Sequence, residues 1–322
     1  WIQRIAAEMR KIMALKKKPT TGMKDILPKE MEIRDYVIQQ IKETYKSFGF
    51  QSIETPCVEH IENLNSKQGG ENEKLIFKIL KRGQKLKLET AESEADLVDS
   101  GLRYDLTVPL SRYYANNANE LPAPFKALQM GNVWRADRPQ RGRFRQFMQC
   151  DIDILGEPTY LAEIELILAT TTLLGKLDFK NFTIRINNRK MLKGLAKYCG
   201  FPEESYDDVF IILDKMDKIE MSGVEAELLE AGYDKEAVEK CKNLFETVTN
   251  DLDGVRYMKE TLGDCLEEGV AEDLETIIQT VEKVKAADFK IAFDPTLVRG
   301  MSYYTGPIFE IAMDEFGGSV GG

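Results

Sequence analysis

The chain has 322 residues, of which 43% are apolar and 30% are charged, a composition typical of globular proteins that bury a core and unlike that of disordered or fibrous proteins. Its net charge is −10, because 54 Asp and Glu residues outnumber 44 Lys and Arg residues. The richest apolar stretch, near Leu161–Leu174, is interrupted by Glu163 and Glu165, so we expect no segment to span a membrane.

Five cysteines and one histidine restrict the chemistry further. The cysteines are odd in number and include no CxxC pair, which is typical of proteins from a reducing cytoplasm. Because His60 is the only histidine, the sequence excludes zinc sites built from several histidines and leaves little room for a Ser-His-Asp mechanism. We expect His60 to be structural and predict no metal-ligating residues. The remaining candidates for chemistry are Arg, Asp, Glu, Gln and Tyr.

Charge is unevenly distributed along the chain. Residues 101–150 contain eight Lys and Arg against three Asp and Glu, whereas residues 201–300 contain eleven against twenty-six. A basic region inside an acidic chain indicates a localised anionic ligand and not a general coat of nucleic acid. The alternative is chance clustering of charges on a solvated face.

The spacing of apolar residues, together with Gly and Pro, predicts the elements in chain order. They are a helix over Pro28–Phe48, an extended segment over Phe50–Pro56, a strand over Leu102–Thr107 that passes into a helix, strands over Phe125–Arg135 and Phe144–Leu155, a helix over Thr159–Gly175, a strand over Phe182–Asn187, a helical and acidic region over Met191–Lys285, and β-type sequence over Ile291–Ala312. This pattern predicts an α+β fold, an antiparallel sheet flanked by helices and interrupted by a helical insertion.

The two central strands predict a polar cleft. In the second strand, Gln149, Asp151 and Asp153 alternate with apolar residues, so one face of the strand is polar. Four arginines fall within nine residues at the end of the first strand and in the loop that follows it: Arg135, Arg138, Arg141 and Arg143. Guanidinium groups bind phosphate in bidentate fashion and carboxylates accept from ammonium groups, so the pattern fits a ligand with phosphates at one end and an amine at the other. The alternative is an ordinary half-buried strand with its polar side in water.

Four ordered segments resemble one family. Phe125–Gly156 resembles motif 2 of the class II aminoacyl-tRNA synthetases, in the form found in the histidyl-tRNA synthetases. Thr21–Pro28 resembles the opening of that family, Leu102–Pro109 its amino-acid-binding strand, and Leu297–Gly306 a motif specific to the histidine enzymes. The resemblance runs from about residue 19 to the end of the chain.

The resemblance implies a class II synthetase-like antiparallel sheet and a set of domain limits. Residues 1–18 are expected to form an N-terminal extension, within which Met13 would be the native first residue. Residues 19–190 are expected to form the first part of a catalytic domain, 191–285 a helical insertion, and 286–322 the second part of the catalytic domain. The chain is expected to stop before motif 3 and the anticodon-binding domain. Ser302 departs from the family, which more often has an acidic residue there.

The resemblance also assigns roles to residues. Arg135 and Arg299 would be catalytic at the α-phosphate of ATP, with Asp137 and Arg143 also binding ATP. The alternatives are a surface ion pair for Arg135, solvated loop charges for Asp137 and Arg143, and a carboxylate partner for Arg299.

Histidine would be bound by a second set of residues. Asp105 would accept from the ammonium group with Gln149 beside it and Thr107 closing the pocket, and Asp153 would accept the imidazole N–H. Tyr303 and Tyr304 would face the other side of the ring, although neighbours in a strand point opposite ways and one of them is then core. The alternative for Asp105 is a residue that forms a turn.

The implied reaction joins histidine and ATP to give histidyl-adenylate, with Mg²⁺ on the ATP phosphates, and then transfers the histidyl group to tRNA(His). The segment Gly49–Glu59 resembles the class II dimer motif, so a homodimer is expected. Two alternatives stay open: the histidine-sensing regulatory subunit of ATP phosphoribosyltransferase, which does not aminoacylate, and a tRNA-sensing module of a larger regulatory protein.

Overall fold

The computed structural model describes residues 17–65, 72–140, 142–298, 304–313, 315 and 319–322. These residues form two compact units. The first comprises the described residues up to Lys42 together with Gly49–Gly156, and the second comprises Glu43–Phe48 and the described part of Glu157–Gly322. Within the ranges given above, no helix combines the length and the apolar character needed to cross a lipid bilayer.

The first unit contains two small sheets and short helices. Helix α1 (Pro28–Ser47) belongs to the first unit up to Lys42 and to the second unit from Glu43, and it agrees with the predicted helix to within one residue. One sheet has the order β1-β5-β6 and the other β2-β4-β3. The strands are β1 (Gln51–Ile53), β2 (Val58–His60), β3 (Phe77–Leu80), β4 (Val98–Leu102), β5 (Phe125–Trp134) and β6 (Gln146–Leu155), and the remaining α-helices are α2 (Ile61–Leu64), α3 (Glu94–Leu97) and α4 (Thr107–Asn117).

The hairpin of β5 and β6 is the main framework of this unit. Its ten residue pairs are antiparallel and run from Phe125 opposite Leu155 to Trp134 opposite Gln146. Both strands were predicted, and each agrees with the structure to within two residues. The strand β1 pairs with β5 in parallel, which the sequence did not predict.

The predicted strand over Leu102–Thr107 is wrong beyond its first residue. Strand β4 ends at Leu102, and helix α4 begins at Thr107. Between them, Arg103 donates its backbone N–H to Cys57, which extends the register of β2 and β4 by one residue, and its carbonyl accepts the backbone N–H of Trp134 at the end of β5. The Asp105 carboxylate then accepts the N–H of Val108, which starts the helix.

Aromatic packing closes the hairpin from one side. Phe125 is fully buried at the start of β5 and stacks with Tyr113 and Tyr114 of α4, with ring centroids 6.5 and 6.4 Å apart. Leu110 and Ala127 complete this cluster. The cluster therefore fixes α4, and with it the residues just before the helix, against the central hairpin.

The second unit contains one sheet in the order β10-β9-β7-β8 and a group of helices. The strands are β7 (Phe182–Asn188), β8 (Phe289–Phe293), β9 (Pro307–Met313) and β10 (Ser319–Gly321). The helices are α5 (Leu161–Lys176), α6 (Arg189–Cys199), α7 (Tyr206–Leu213), α8 (Met216–Glu230), α9 (Lys235–Thr247), α10 (Leu252–Leu262) and α11 (Val270–Val284).

Short 3-10 turns occur in both units. They span Asn72–Leu75, Gly83–Lys85, Leu88–Thr90, Ala118–Glu120, Glu203–Ser205 and Gly263–Cys265.

The helical region predicted over Met191–Lys285 has a definite place in this topology. It separates β7 from β8, and these two strands pair in parallel, from Phe182 opposite Phe289 to Ile186 opposite Phe293. Parallel neighbours require a long crossover, and the helices supply it. One apolar core joins the helices to the sheet, including Ile184 of β7 and Leu274 of α11. The domain limits at 190 and 286 stay predictions, because the helices and the sheet belong to a single compact unit here.

Candidate functional site

A cavity of about 350 Å³ opens beside the loop that joins β5 to β6. Its lining combines guanidinium groups with two aromatic rings and one carboxylate: Arg135, Asp137, Arg138, Pro139, Gly142, Arg143, Phe144 and Phe147. The structure therefore brings together the three residues predicted to bind ATP, namely Arg135, Asp137 and Arg143. Such a lining suits a ligand that has both a flat ring and anionic oxygens.

Arg135 is held in place by contacts that leave part of its guanidinium available. Its Nε donates to the carbonyl of Tyr104 at 3.0 Å, and its guanidinium carbon lies 5.1 Å from the centroid of the Phe147 ring. Its backbone N–H donates to Arg145 across the hairpin. No described residue accepts from its two terminal nitrogens, so both can donate to an anion.

The loop itself is fixed from outside by the segment that resembled the opening of the family. Arg145 donates its backbone N–H to the carbonyl of Gly22 at 2.7 Å, and its Nε donates to the carbonyl of Asp137 at 2.9 Å. A Cβ at position 22 would lie 2.8 Å from Cγ of Arg145, so only glycine permits this approach. Gly22 also lies against Pro139, which lines the cavity, so this segment supports the cavity wall.

A second, acidic region lies on the same hairpin. Gln149, Asp151 and Asp153 alternate along β6, as predicted, and their cross-strand partners on β5 are Gly131, Gln129 and Ala127. Residues directly opposite each other in an antiparallel pair share a face, so all six lie on one side of the sheet. Two of the three partners are small, and the guanidinium of Arg103 occupies the space beside Gly131.

Asp105 adds a third carboxylate to this region. Its side chain is only 3% exposed, and it accepts the N–H of Val108 at 3.2 Å. Burial raises the pKa of Asp105, while the Val108 N–H, the nearby Arg135 guanidinium and the Thr107 N–H oppose that rise. The turn-forming role considered for Asp105 is therefore present, together with an electrostatic link to Arg135. Thr107 lies beside it as the first residue of α4.

Burial and mutual repulsion raise the pKa values of the two carboxylates of β6. The pKa of Asp153 is raised to about 7, mainly by burial and then by the charges of Asp151 and Asp105. The pKa of Asp151 is raised to about 6 by burial, a rise that a hydrogen bond from Gln149 opposes. Groups with such perturbed pKa values, gathered in one place, are typical of functional sites.

Two buried oxygens in this region have no partner among the described residues. They are Oε1 of Gln149 and Oδ2 of Asp153. A buried acceptor without a donor costs free energy, so a ligand that brings N–H groups would relieve that cost. Oε1 of Gln149 and, once ionised, Oδ2 of Asp153 can only accept hydrogen bonds, so the region selects for a donor-rich, cationic group.

The other predicted site residues lie elsewhere in the chain. Arg299 and Tyr303 lie outside the described residues. Tyr304 belongs to the second unit, where it packs partly buried against the apolar core of that unit. His60 lies at the end of β2 with its side chain exposed.

Three residues that contribute to this site were not predicted. Arg103 is buried and donates to the carbonyls of Thr55 and Asn132, and Gln129 donates to the carbonyl of Leu106. These bonds hold the turn that carries Asp105 against β5. Asp151 was placed on the polar face by the alternation of β6 but received no role. For Arg103, the only available signal was a charged residue between two apolar stretches.

No cluster of three or more His, Cys, Asp or Glu side chains within the ranges described could hold a metal ion. Mg²⁺, expected from the resemblance, would arrive with the phosphates of ATP as part of that substrate.

Comparison with known proteins places these features in a family. A profile of the histidyl-tRNA synthetase family matches residues 22–322. The histidine–tRNA ligase of Leifsonia xyli subsp. xyli (strain CTCB07) is 43% identical over 314 residues, which cover 94% of this chain and 72% of that protein.

Solved structures give the same result for the fold. The crystal structure of histidyl-tRNA synthetase from Nostoc sp. PCC 7120 has a TM-score of 0.76 at 29% identity, covering 94% of this chain and 66% of that one. That of an ATP phosphoribosyltransferase regulatory subunit/histidyl-tRNA synthetase from Bacillus halodurans C has a TM-score of 0.76 at 21% identity, covering 95% and 74%, and is similar in fold alone.

Proposed function

The chain belongs to the histidyl-tRNA synthetase family, and from this premise we propose that it activates histidine with ATP and transfers the histidyl group to tRNA(His). One observation carries the proposal. The β5–β6 hairpin has an arginine-lined cavity at its loop end and, along β6, a face whose unpaired groups are all acceptors. Histidine and ATP together require this combination of a phosphate site next to an ammonium site.

The first step is an attack by the histidine carboxylate on the α-phosphorus of ATP, which forms histidyl-adenylate and releases pyrophosphate. Arg135 supports this step, because its two terminal nitrogens can donate to the α-phosphate while its Nε stays bonded to Tyr104. Asp137 and Arg143 line the same cavity and bind the rest of ATP. Arg299 adds a second guanidinium by family resemblance. The protein contributes position and positive charge and forms no covalent intermediate.

The histidine itself is oriented by the acidic face. Asp105 and Gln149 accept from the ammonium group, with Thr107 beside them, and Asp153 accepts the imidazole N–H. Tyr303 and Tyr304 complete the ring pocket by family resemblance. A pocket that pairs with both polar ends of histidine rejects apolar amino acids strongly, because such ligands leave its buried groups unpaired.

Histidine-dependent exchange between ATP and pyrophosphate tests this proposal together with calorimetry. We expect the protein to bind histidine and not leucine, and to exchange pyrophosphate only when histidine is present. Binding without exchange would instead favour the histidine-sensing regulatory alternative. Equal binding of histidine and leucine would contradict the assignment of the acidic face.

We also propose that the protein is a homodimer in the cytoplasm. Helix α1 exposes large apolar side chains, with Ile33 63% and Tyr36 54% accessible, and the dimer-like segment Gly49–Glu59 follows it in the chain. An exposed apolar surface of this kind supports association. The five cysteines are free thiols, which supports a reducing compartment. Light scattering at micromolar concentration should give twice the chain mass of 36.7 kDa, and a monomer would contradict the dimer.

A further inference from the structure

The amide of Gln149 has one defined orientation in the structure. Its Nε2 donates to Oδ2 of Asp151 at 3.0 Å. An ionised carboxylate only accepts hydrogen bonds, so the end of the amide that faces Asp151 must be the NH₂ group. The carbonyl oxygen Oε1 then points away, buried and without a partner among the described residues.

The two residues of β5 that face Gln149 and Asp151 offer the Gln149 amide no other partner. Gly131, directly opposite Gln149, has no side chain, and the Arg103 guanidinium fills the space beside it. Gln129, opposite Asp151, already uses its amide, since its Nε2 donates to the carbonyl of Leu106 at 3.1 Å and its Oε1 accepts from Thr55 at 3.3 Å. Asp151 is the hydrogen-bond partner of the Gln149 amide, and it therefore decides which end of that amide is left for a ligand.

Asp151 has the required charge at neutral pH. Its pKa of about 6 leaves it mostly ionised above pH 7, and the Arg135 guanidinium favours that charged form. A protonated or amidated group at this position would be able to donate to Oε1 of Gln149 and thus permit the opposite orientation of the amide.

We propose that Asp151 is a positioning residue, which holds the amide of Gln149 so that its carbonyl oxygen accepts from the amino group of bound histidine. The inference rests on the proposed histidine site. With the amide reversed, the NH₂ group of Gln149 would face the ammonium group, donor against donor. Asp151 thus acts on the ligand through Gln149 and determines that the site presents acceptors alone.

Calorimetry on the full chain with two ligands tests the proposal. We expect Asp151→Asn to weaken histidine binding about 10- to 150-fold, the range for one hydrogen bond to a charged group. Imidazolepropionate, which is histidine without its amino group, should lose less than about threefold, because Gln149 has no ammonium to meet. Asp178→Asn, at an exposed aspartate of the second unit, is the matched control.

A compensating variant separates positioning from simple structural support. Glutamate has only acceptor oxygens, so Asp151→Asn combined with Gln149→Glu lets the new amide at position 151 donate while the second oxygen at position 149 faces the ligand. We expect this double variant, with unchanged net charge, to recover histidine affinity to within about threefold of the parent.

Each other result has a distinct meaning. Unchanged histidine affinity in Asp151→Asn, an equal loss for imidazolepropionate, or no recovery in the double variant would overturn the inference while the histidine site stands. A parent chain that fails to bind histidine would overturn the proposed function itself. Melting temperatures measured on the same preparations report whether each variant is folded.

Discussion

The guanidinium of Arg103 occupies the space next to Gly131 that a side chain there would need. A Cβ at position 131 would lie 2.2 Å from Nη2 of Arg103. The guanidinium is otherwise bonded to Thr55 Oγ1, to the Thr55 and Pro56 carbonyls, and to the carbonyl of Asn132. One buried cation thus links the segment that follows β1, the last residues of β5 and the turn that carries Asp105. This arrangement of Arg103 requires glycine at position 131, because any side chain there would displace the guanidinium.

Gly131→Ala is therefore expected to destabilise the protein by about 2–3 kcal/mol, because the methyl group displaces a buried guanidinium that has several partners. Urea unfolding measures this loss. The control is Gly306→Ala, since nothing in the described part of the chain lies within 4 Å of a Cβ there. Equal stability of the two variants would show that Arg103 can move at little cost.

Two substitutions at Asp105 separate its helix-starting role from its proposed ligand contact. Asp105→Asn keeps an oxygen that can accept the N–H of Val108, so it should fold with parental stability, whereas Asp105→Ala should lose about 1 kcal/mol. Both should weaken histidine binding at least about tenfold, since both remove the charge that meets the ammonium group. Parental histidine affinity in a stable Asp105→Asn variant would leave Asp105 with the structural role alone.

The raised pKa of Asp153 predicts a pH-dependent effect on stability. A raised pKa means that the folded state favours the protonated carboxyl, so this contribution is present below about pH 4 and is lost as the pH rises through about 7. Asp153→Asn removes the buried charge, and it should increase the free energy of unfolding at pH 8 by about 1–2 kcal/mol and leave it unchanged at pH 4.

Urea titrations at the two pH values, without ligand, measure this difference for Asp153→Asn. Asp178→Asn serves again as the control, because the Asp178 side chain is 84% exposed and should show no such dependence. A destabilised Asp153→Asn variant at pH 8 would mean that the carboxylate has a partner in solution.

The rate of pyrophosphate exchange should depend on the planar shape of the Arg135 guanidinium as well as on its charge. Arg135→Ala is expected to lower histidine-dependent pyrophosphate exchange by about 10²–10³, the usual cost of one preorganised donor. Arg135→Lys keeps the charge but not the planar fork, so it should recover only part of the rate. Histidine affinity should fall much less than the exchange rate, because the acceptors on β6 remain and lose only the Arg135 charge that favours the ionised forms of Asp105 and Asp151. Exchange by Arg256→Lys, at an exposed position in α10, should remain parental.

The elements that the sequence predicted correctly depend on local pattern. The alternation of β6 placed Gln149, Asp151 and Asp153 on one face, and the apolar spacing of α1 located that helix, because the periods of strands and helices are properties of the backbone. Family motifs then assigned Arg135 to the end of β5, where the cavity lies.

What only the tertiary structure decided involves residues far apart in the chain. The turn at Asp105 lies against β5 because Arg103 and Gln129 hold it there, and the parallel pairing of β7 with β8 spans the whole helical crossover. The burial that raises the pKa of Asp153 likewise arises only when the strands pair in one register. Sequence periodicity specifies the face on which a side chain lies, but long-range packing decides what that side chain meets and whether water can reach it.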